Sequence, residues 1–243
     1  MIALLVPTRG RPEQCKRMTR SASQTATTTL SFWLGMQADQ EKLYANEQMN
    51  KFFIVPDWPT VMTWNVLAQE AMKFPDNKLF MLAADDMIFS TPGWDKALLD
   101  HYNALENKIH VYALQDSRDK DGLPHPIVSR EWIEAMGWAF PPYYLHWKID
   151  TWTAAIAKAN GVHTHLREYL LIHDKANDRG QPDETHSRIR NAGWLDRDNY
   201  VEKTCGYLLE NEKKRLNDYL RGREERETTI RRLSATDYAS MTA

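Results

Sequence analysis

Cysteine is scarce in this chain: Cys15 and Cys205 are the only two among 243 residues. They lie far apart and in no CxxC or Cys/His spacing, which leaves a disulfide framework or a zinc ribbon without support and points to a reducing compartment. Long apolar runs are missing too. No stretch approaches the ~20 residues that a membrane-spanning helix needs. The apolar start at residues 1–6 stops at Pro7 and runs into Arg9 and Arg11, the wrong charge order for a signal peptide. These absences predict a soluble, cytoplasmic protein with no membrane span. Neither sign of charge is in excess: Lys+Arg 31 against Asp+Glu 33 leaves a net charge of -2. That excludes a globally basic, histone-like grip on nucleic acid. Internal repeats and low-complexity linkers are absent, and 26% charged with 42% hydrophobic residues is ordinary globular composition. Aromatic side chains are abundant, with Trp 9, Tyr 10 and Phe 7. Indoles are costly to expose without a packing or stacking reason.

Short apolar runs alternate with helical patterns through the first half. Residues 2–6, 30–36, 51–55, 79–83 and 110–114 read as buried strands, and 13–25 and 60–73 as helices. In the second half, 129–136 and 150–160 read as helices, 162–172 as a strand and 177–185 as a polar loop. From 200 to 233 the pattern is helical, and the last residues read as loose. Alternating strand and helix predicts an α/β fold with a mainly parallel sheet flanked by helices, plus a C-terminal helical extension. The expected division is residues 1–195 as one domain, split near 116 into two halves, and 196–243 as the extension.

In open α/β sheets ligands bind at the carboxyl ends of the strands. Four such ends carry polar residues suited to a common chemistry. They are Pro7-Thr8-Arg9-Gly10-Arg11, the segment leading to Asp39, Asp85-Asp86, and Asp116. Adjacent carboxylates past a buried strand call for a neutralising cation, and a divalent metal holding a diphosphate is a common solution. The plainer alternative is a solvated loop.

The order of these motifs resembles the GT-A glycosyltransferases, nucleotide-sugar-dependent enzymes related to family 2. The resemblance spans roughly residues 1–175. It rests on Leu5-Val6-Pro7-Thr8-Arg9-Gly10-Arg11, on Trp64-Asn65, on Leu82-Ala83-Ala84-Asp85-Asp86-Met87 and on Pro92-Gly93-Trp94-Asp95. The commonest metal motif of the family has an acidic residue where this chain has Ala84, so the form here is xDD. The resemblance implies a Rossmann-like GT-A fold. It also implies a metal-dependent transferase that moves a hexose or pentose from a nucleotide-sugar, of the UDP type, to an acceptor hydroxyl with Mn²⁺ or Mg²⁺. It assigns Pro7, Thr8, Arg9, Arg11, Asp39, Asn65 and Asp85 to the donor, and Asp86 and His173 to the metal. Asp150 is the implied base that deprotonates the acceptor, with N-capping of a helix as its structural alternative. Trp94, Trp138, His146 and Trp147 are the implied acceptor contacts, the last three within an aromatic-rich stretch from Trp132 to Trp152. Some phage members of this kind glycosylate hydroxymethylated pyrimidines in DNA. That makes modified DNA one candidate acceptor, beside protein and glycan, and host cytoplasm the setting. The alternatives are a nucleotide-sugar-binding module without catalysis and a nucleotidyltransferase on a related sheet.

Overall fold

In the computed structural model, residues 1–44, 51–119, 122–174 and 207–221 are described, with six single positions between 185 and 197. The first strand, β1 (Ile2–Pro7), is apolar at nearly every position because both of its faces are covered. Ala3 and Leu5 point into one core, and Ile2, Leu4 and Val6 into the other. β1 pairs in parallel with β2 (Leu30–Met36) and β4 (Leu79–Leu82), and β2 in turn with β3 (Lys51–Ile54). Beyond β4 the sheet becomes mixed. β7 (Ile127–Ser129) runs antiparallel to both β4 and β6 (Val111–Asp116). β8 (His163–His173) lies parallel to β6 and antiparallel to β5 (Met87–Phe89). The eight strands follow the order β3-β2-β1-β4-β7-β6-β8-β5, so the α/β sheet with mainly parallel pairing that the sequence predicts is observed.

Helices cover both faces. α1 (Pro12–Thr25) and α4 (Trp94–Ala104) pack on one side through Cys15, Met18, Ala22, Trp94 and Leu98. α3 (Thr60–Met72), α5 (Arg130–Met136), α6 (Ile149–Ala159) and α7 (Tyr207–Leu220) build the other core. Among these lie Val61, Trp64, Trp132, Trp152, Leu209 and Leu216. A short α2 (Glu41–Tyr44) follows β2. Ser129 caps α5, its hydroxyl accepting from Trp132 N–H at 3.1 Å. Gly35 lets α3 approach β2 closely, since a Cβ there would lie 2.4 Å from Thr63 Cγ2. The adjoining Trp64 then donates its indole N–H to the carbonyls of Leu5 and Ala83, both at 3.1 Å, which ties α3 to the carboxyl ends of β1 and β4.

The elements read from the sequence recur within a few residues. β5, β7, α2 and α4 are additions, the first three too short to show a period. No helix among the described residues is long and apolar enough to cross a membrane. Residues 177–184, Cys205 and the charged segment from 222 onward lie outside the described residues, so the C-terminal helix is seen only as α7.

The aromatic-rich stretch answers the packing question. Trp132, Trp138, Phe140, Tyr143, Tyr144 and Trp152 are buried in the core between the sheet and α7. Trp147 alone of its tryptophans stands out to solvent, at 39% exposure.

Candidate metal centre and donor pocket

Asp85 and Asp86 follow β4 in a tight turn, where Met87 N–H reaches Ala84 O at 3.3 Å. The two carboxylates have different surroundings. Asp85 is buried, and a one-way chain of donors ends on it. Arg11 N–H reaches Tyr44 Oη at 3.1 Å, Tyr44 Oη lies 2.7 Å from Thr8 Oγ1, and Thr8 donates to Asp85 Oδ2 at 2.8 Å. Arg11 Nη1 donates to the other oxygen at 3.2 Å. Burial pushes the Asp85 carboxyl up to about 6, with Arg11 and Thr8 pulling the other way. Thr8 and Arg11 are therefore interior residues that hold Asp85, with little surface left for a donor.

Asp86 faces His173, whose Nε2 lies 3.5 Å from Asp86 Oδ1, while Arg11 Nη1 lies 3.9 Å from Oδ2. Burial raises the Asp86 carboxyl, but His173, His125 and Arg11 outweigh it and hold the group below the usual carboxylate range. β8 positions His173 through its pairing with Met87. The next residue continues the tie, with Asp174 N–H donating to Asp86 O at 2.8 Å. Between Leu114 and Gln115 the β6–β8 register shifts, from Leu114↔Leu166 to Gln115↔Leu170. Such irregularities recur beside active sites, where they re-aim side chains.

Asp116 closes β6 and shapes the loop that follows. Its Oδ1 accepts from Arg118 N–H at 2.7 Å and from Asp119 N–H at 3.2 Å. Asp119 repeats the device on Gly122 N–H at 2.9 Å. The returning chain brings His125, with φ 48, back against the same carboxylate. His125 Nε2 lies 3.3 Å and His173 Nδ1 3.4 Å from Asp116 Oδ2. Those contacts are poorly aimed for hydrogen bonds, and Oδ2 and His125 Nδ1 are both buried with no hydrogen-bond partner among the described residues. Burial raises the Asp116 carboxyl, but the two imidazoles and Arg118 N–H outweigh it and hold it well below its ordinary value. One ligand atom from each of Asp116, His125 and His173 lies within 4.8 Å of the other two. An ionised, unsatisfied carboxylate oxygen beside two imidazoles is a donor set that fits a divalent transition metal. Neither His125, held between Pro124 and Pro126, nor Tyr44 carries a spacing signal in the sequence.

The remaining expected residues divide between rim and core. Arg9 and Asp39 form an ion pair at 3.1 Å past the carboxyl ends of β1 and β2, with Gln37 accepting from Arg9 at 3.1 Å. Pro7 ends β1 beside Gly35. Asn65 is a correction. It is 2% exposed and its amide is consumed in holding the chain after α5. Its Oδ1 accepts from Ala139 and Phe140 N–H at 3.0 and 3.1 Å, and its Nδ2 donates to Phe140 O at 2.9 Å and Val61 O at 3.1 Å. Trp94 and Trp138 are corrections as well. Each is 1% exposed and part of a core, with Trp94 Nε1 donating to Thr25 Oγ1 at 3.2 Å. They have no face to offer an acceptor. His146 stacks on Trp64 at 5.7 Å between ring centroids, which places it over the ends of β1 and β4. Leu145 O accepts from Val61 N–H at 3.3 Å and fixes the same loop on α3. Asp150 lies half-buried in the first turn of α6, its Oδ1 accepting from Thr151 N–H at 2.7 Å. The cap position itself belongs to Lys148, at φ 67 and with no side-chain cap bond.

No family model matches this chain, and no curated protein matches it in sequence. Solved structures do resemble it. Mannosyltransferase PcManGT from Pyrobaculum calidifontis, in complex with GDP-Man and Mn²⁺, aligns at TM-score 0.53 and 10% identity over 88% of this chain and 69% of that one. S. aureus TarS aligns at TM-score 0.51 and 11% identity over 72% of this chain and 37% of that one. Its 1-349 form in complex with UDP-GlcNAc aligns at TM-score 0.50 and 11% identity, over 77% and 64%. The chain thus spans well under two thirds of full TarS, and at such identities the likeness is one of fold. The sheet, its crossovers and the placing of Asp85-Asp86 past β4 give this chain the GT-A-like fold found in glycosyltransferases.

Proposed function

We propose that this chain is a metal-dependent glycosyltransferase that transfers a sugar from a nucleotide-sugar, of the UDP type, to an acceptor hydroxyl. The observation that carries the reading is the convergence of Asp86, Asp116, His125 and His173 at the carboxyl ends of β4, β6 and β8. That is the end of the sheet where α/β folds take ligands. Structural neighbours in complex with UDP-GlcNAc and with GDP-Man and Mn²⁺ support the donor class.

A divalent metal bound there would stabilise charge on the departing diphosphate. The chain's own residues carry the rest. Arg9 and Asp39, paired past β1 and β2, would offer a guanidinium and a carboxylate to a nucleobase and its phosphates. Asp85, locked by Thr8 and Arg11, supports the sugar end of the donor through its turn. Asp150, at the amino end of α6, takes the acceptor proton, and His146 and Trp147 form the acceptor-facing wall. The acceptor we favour is a hydroxymethylated pyrimidine in duplex DNA. The face of α1 that carries Lys16, Arg17 and Arg20 supports it. This face adjoins the metal cluster through the Arg17–Asp174 ion pair.

The test is a nucleotide-sugar panel with Mn²⁺ or Mg²⁺, scored for nucleoside diphosphate release with and without EDTA. Metal-dependent release from one donor is expected; none from any donor overturns the proposal. Asp150→Asn should abolish transfer while donor binding persists, and near-normal transfer removes it as the base. Turnover that modified duplex DNA leaves unchanged across a range of salt removes the DNA acceptor.

A further inference from the structure

His173 presents its two ring nitrogens to two different carboxylates, Nε2 to Asp86 at 3.5 Å and Nδ1 to Asp116 at 3.4 Å. A metal on the Nε2 side would be shared between Asp86 and the donor diphosphate and would arrive with the nucleotide. The Nδ1 side has different chemistry. There Asp116 Oδ2, His125 Nε2 and His173 Nδ1 meet with no substrate needed to complete the set. We propose that these three residues form a resident transition-metal seat, filled in the free chain before any nucleotide binds, with Asp86 orienting His173 from behind.

Three observations carry this. Donor atoms bound ~2.1 Å from one ion at tetrahedral angles stand ~3.4 Å apart, and the separations across Asp116 Oδ2 are 3.3 and 3.4 Å. Those distances suit ligands of a common ion. Second, Asp116 Oδ2 is buried, belongs to a residue 2% exposed and has no hydrogen-bond partner among the described residues. Such an oxygen is costly to bury unless a cation meets it. Third, the loop that delivers His125 is held by Asp116 Oδ1 and Asp119, and His125 itself sits at φ 48. A non-glycine residue is held there only when its surroundings over-determine it.

On the other face of His173, Asp86 Oδ1 stands where a ligating histidine takes its orienting carboxylate. Two imidazoles among three protein ligands favour Mn²⁺, Fe²⁺, Co²⁺ or Zn²⁺ over Mg²⁺, which prefers oxygen.

The seat rests on the transferase reading and refines its metal, but the test does not depend on transfer. The full chain is titrated with Mn²⁺ in the absence of nucleotide, and free aqueous Mn²⁺ is followed by its paramagnetic resonance signal. One Mn²⁺ per chain is expected, retained against about a hundredfold excess of Mg²⁺. His125→Gln, which removes a protein ligand, should weaken binding by more than about a hundredfold, and Asp86→Asn, which removes an orienting carboxylate, by about tenfold. His125→Gln is preferred to Asp116→Asn because Asp116 Oδ1 also shapes the loop. Circular dichroism of the variant shows whether it has kept its fold. Binding that requires a nucleoside diphosphate would place the ion on the Nε2 side and overturn the seat. So would binding lost in Asp86→Asn but intact in His125→Gln. Mn²⁺ bound as expected by a chain that transfers no sugar would refute the transferase reading and leave the seat standing.

Discussion

Asn65 offers the sharpest separation between a donor-binding residue and a structural one. In Asn65→Ala the N–H groups of Ala139 and Phe140 lose their acceptor and Phe140 O loses its donor, all in the interior. Each buried group left unsatisfied costs roughly 1–3 kcal/mol. Partial relaxation of the chain after α5 brings the expected total to about 3–5 kcal/mol, a large share of the ~5–15 kcal/mol that holds a domain together. Asn65→Asp is the finer probe. It keeps the acceptor for both N–H groups, removes the donor to Phe140 O and Val61 O, and buries a carboxylate that no cation meets. It should destabilise by a similar amount at neutral pH and recover as the pH is lowered and the carboxyl protonates. The folded-state pKa of such a group is raised, so its stabilising form is present at low pH and lost as pH rises through that value. Urea unfolding followed by tryptophan fluorescence measures both variants. A loss below about 1 kcal/mol for Asn65→Ala, beside a large loss of nucleotide-sugar affinity, would refute the structural reading.

Two further outcomes follow from packing and protonation. Gly35→Ala should destabilise by about 1–3 kcal/mol through overpacking, because the new Cβ meets Thr63 Cγ2 at 2.4 Å and Leu67 Cδ1 at 3.3 Å. Combining it with Thr63→Ser removes the clashing methyl, so a double variant no more stable than Gly35→Ala would contradict the clash. His110, buried beside His101 and His163, is pushed down from 6.5 to about 4 by burial and then by the charge of those two histidines. Its stabilising contribution is complete above pH 6.5 and is lost as pH falls towards 4, because the unfolded chain takes the proton first. The loss amounts to roughly 1–3 kcal/mol, since solvent screens part of the shift. His110→Gln should flatten that part of the stability profile, and identical profiles for the two proteins between about pH 7 and pH 4.5 would refute the assignment.

The strands of the first half could be read because they are buried on both faces and so appear as unbroken apolar runs, β1 and β4 above all. β5 and β7, three residues each, are too short to show a period and form only because longer strands pair with them. The aromatic residues were the least legible part. Trp94, Trp138 and Trp147 look alike in sequence, yet 1%, 1% and 39% exposure separate them. The difference comes from which helix or loop folds over each indole. Asn65 misleads for the same reason, since its partners at Ala139 and Phe140 are more than seventy residues away.

Sequence alone determined the polar strand ends and their order. Thr8, Arg9, Arg11, Asp39, Asp85, Asp86 and Asp116 follow apolar runs that could only be strands, and polar residues at such ends collect on one edge of a parallel sheet. Tertiary structure decided which of them turn into the interior. Thr8 and Arg11 turn inward because Asp85 is buried and needs their donors. Asp116 gains its histidines because the loop it shapes brings His125 back, while β8, returning beside β6 and β5, sets His173 between Asp86 and Asp116. Distance along the chain carries no information about such meetings. Only the closing of the loop and the pairing of the strands bring these side chains together.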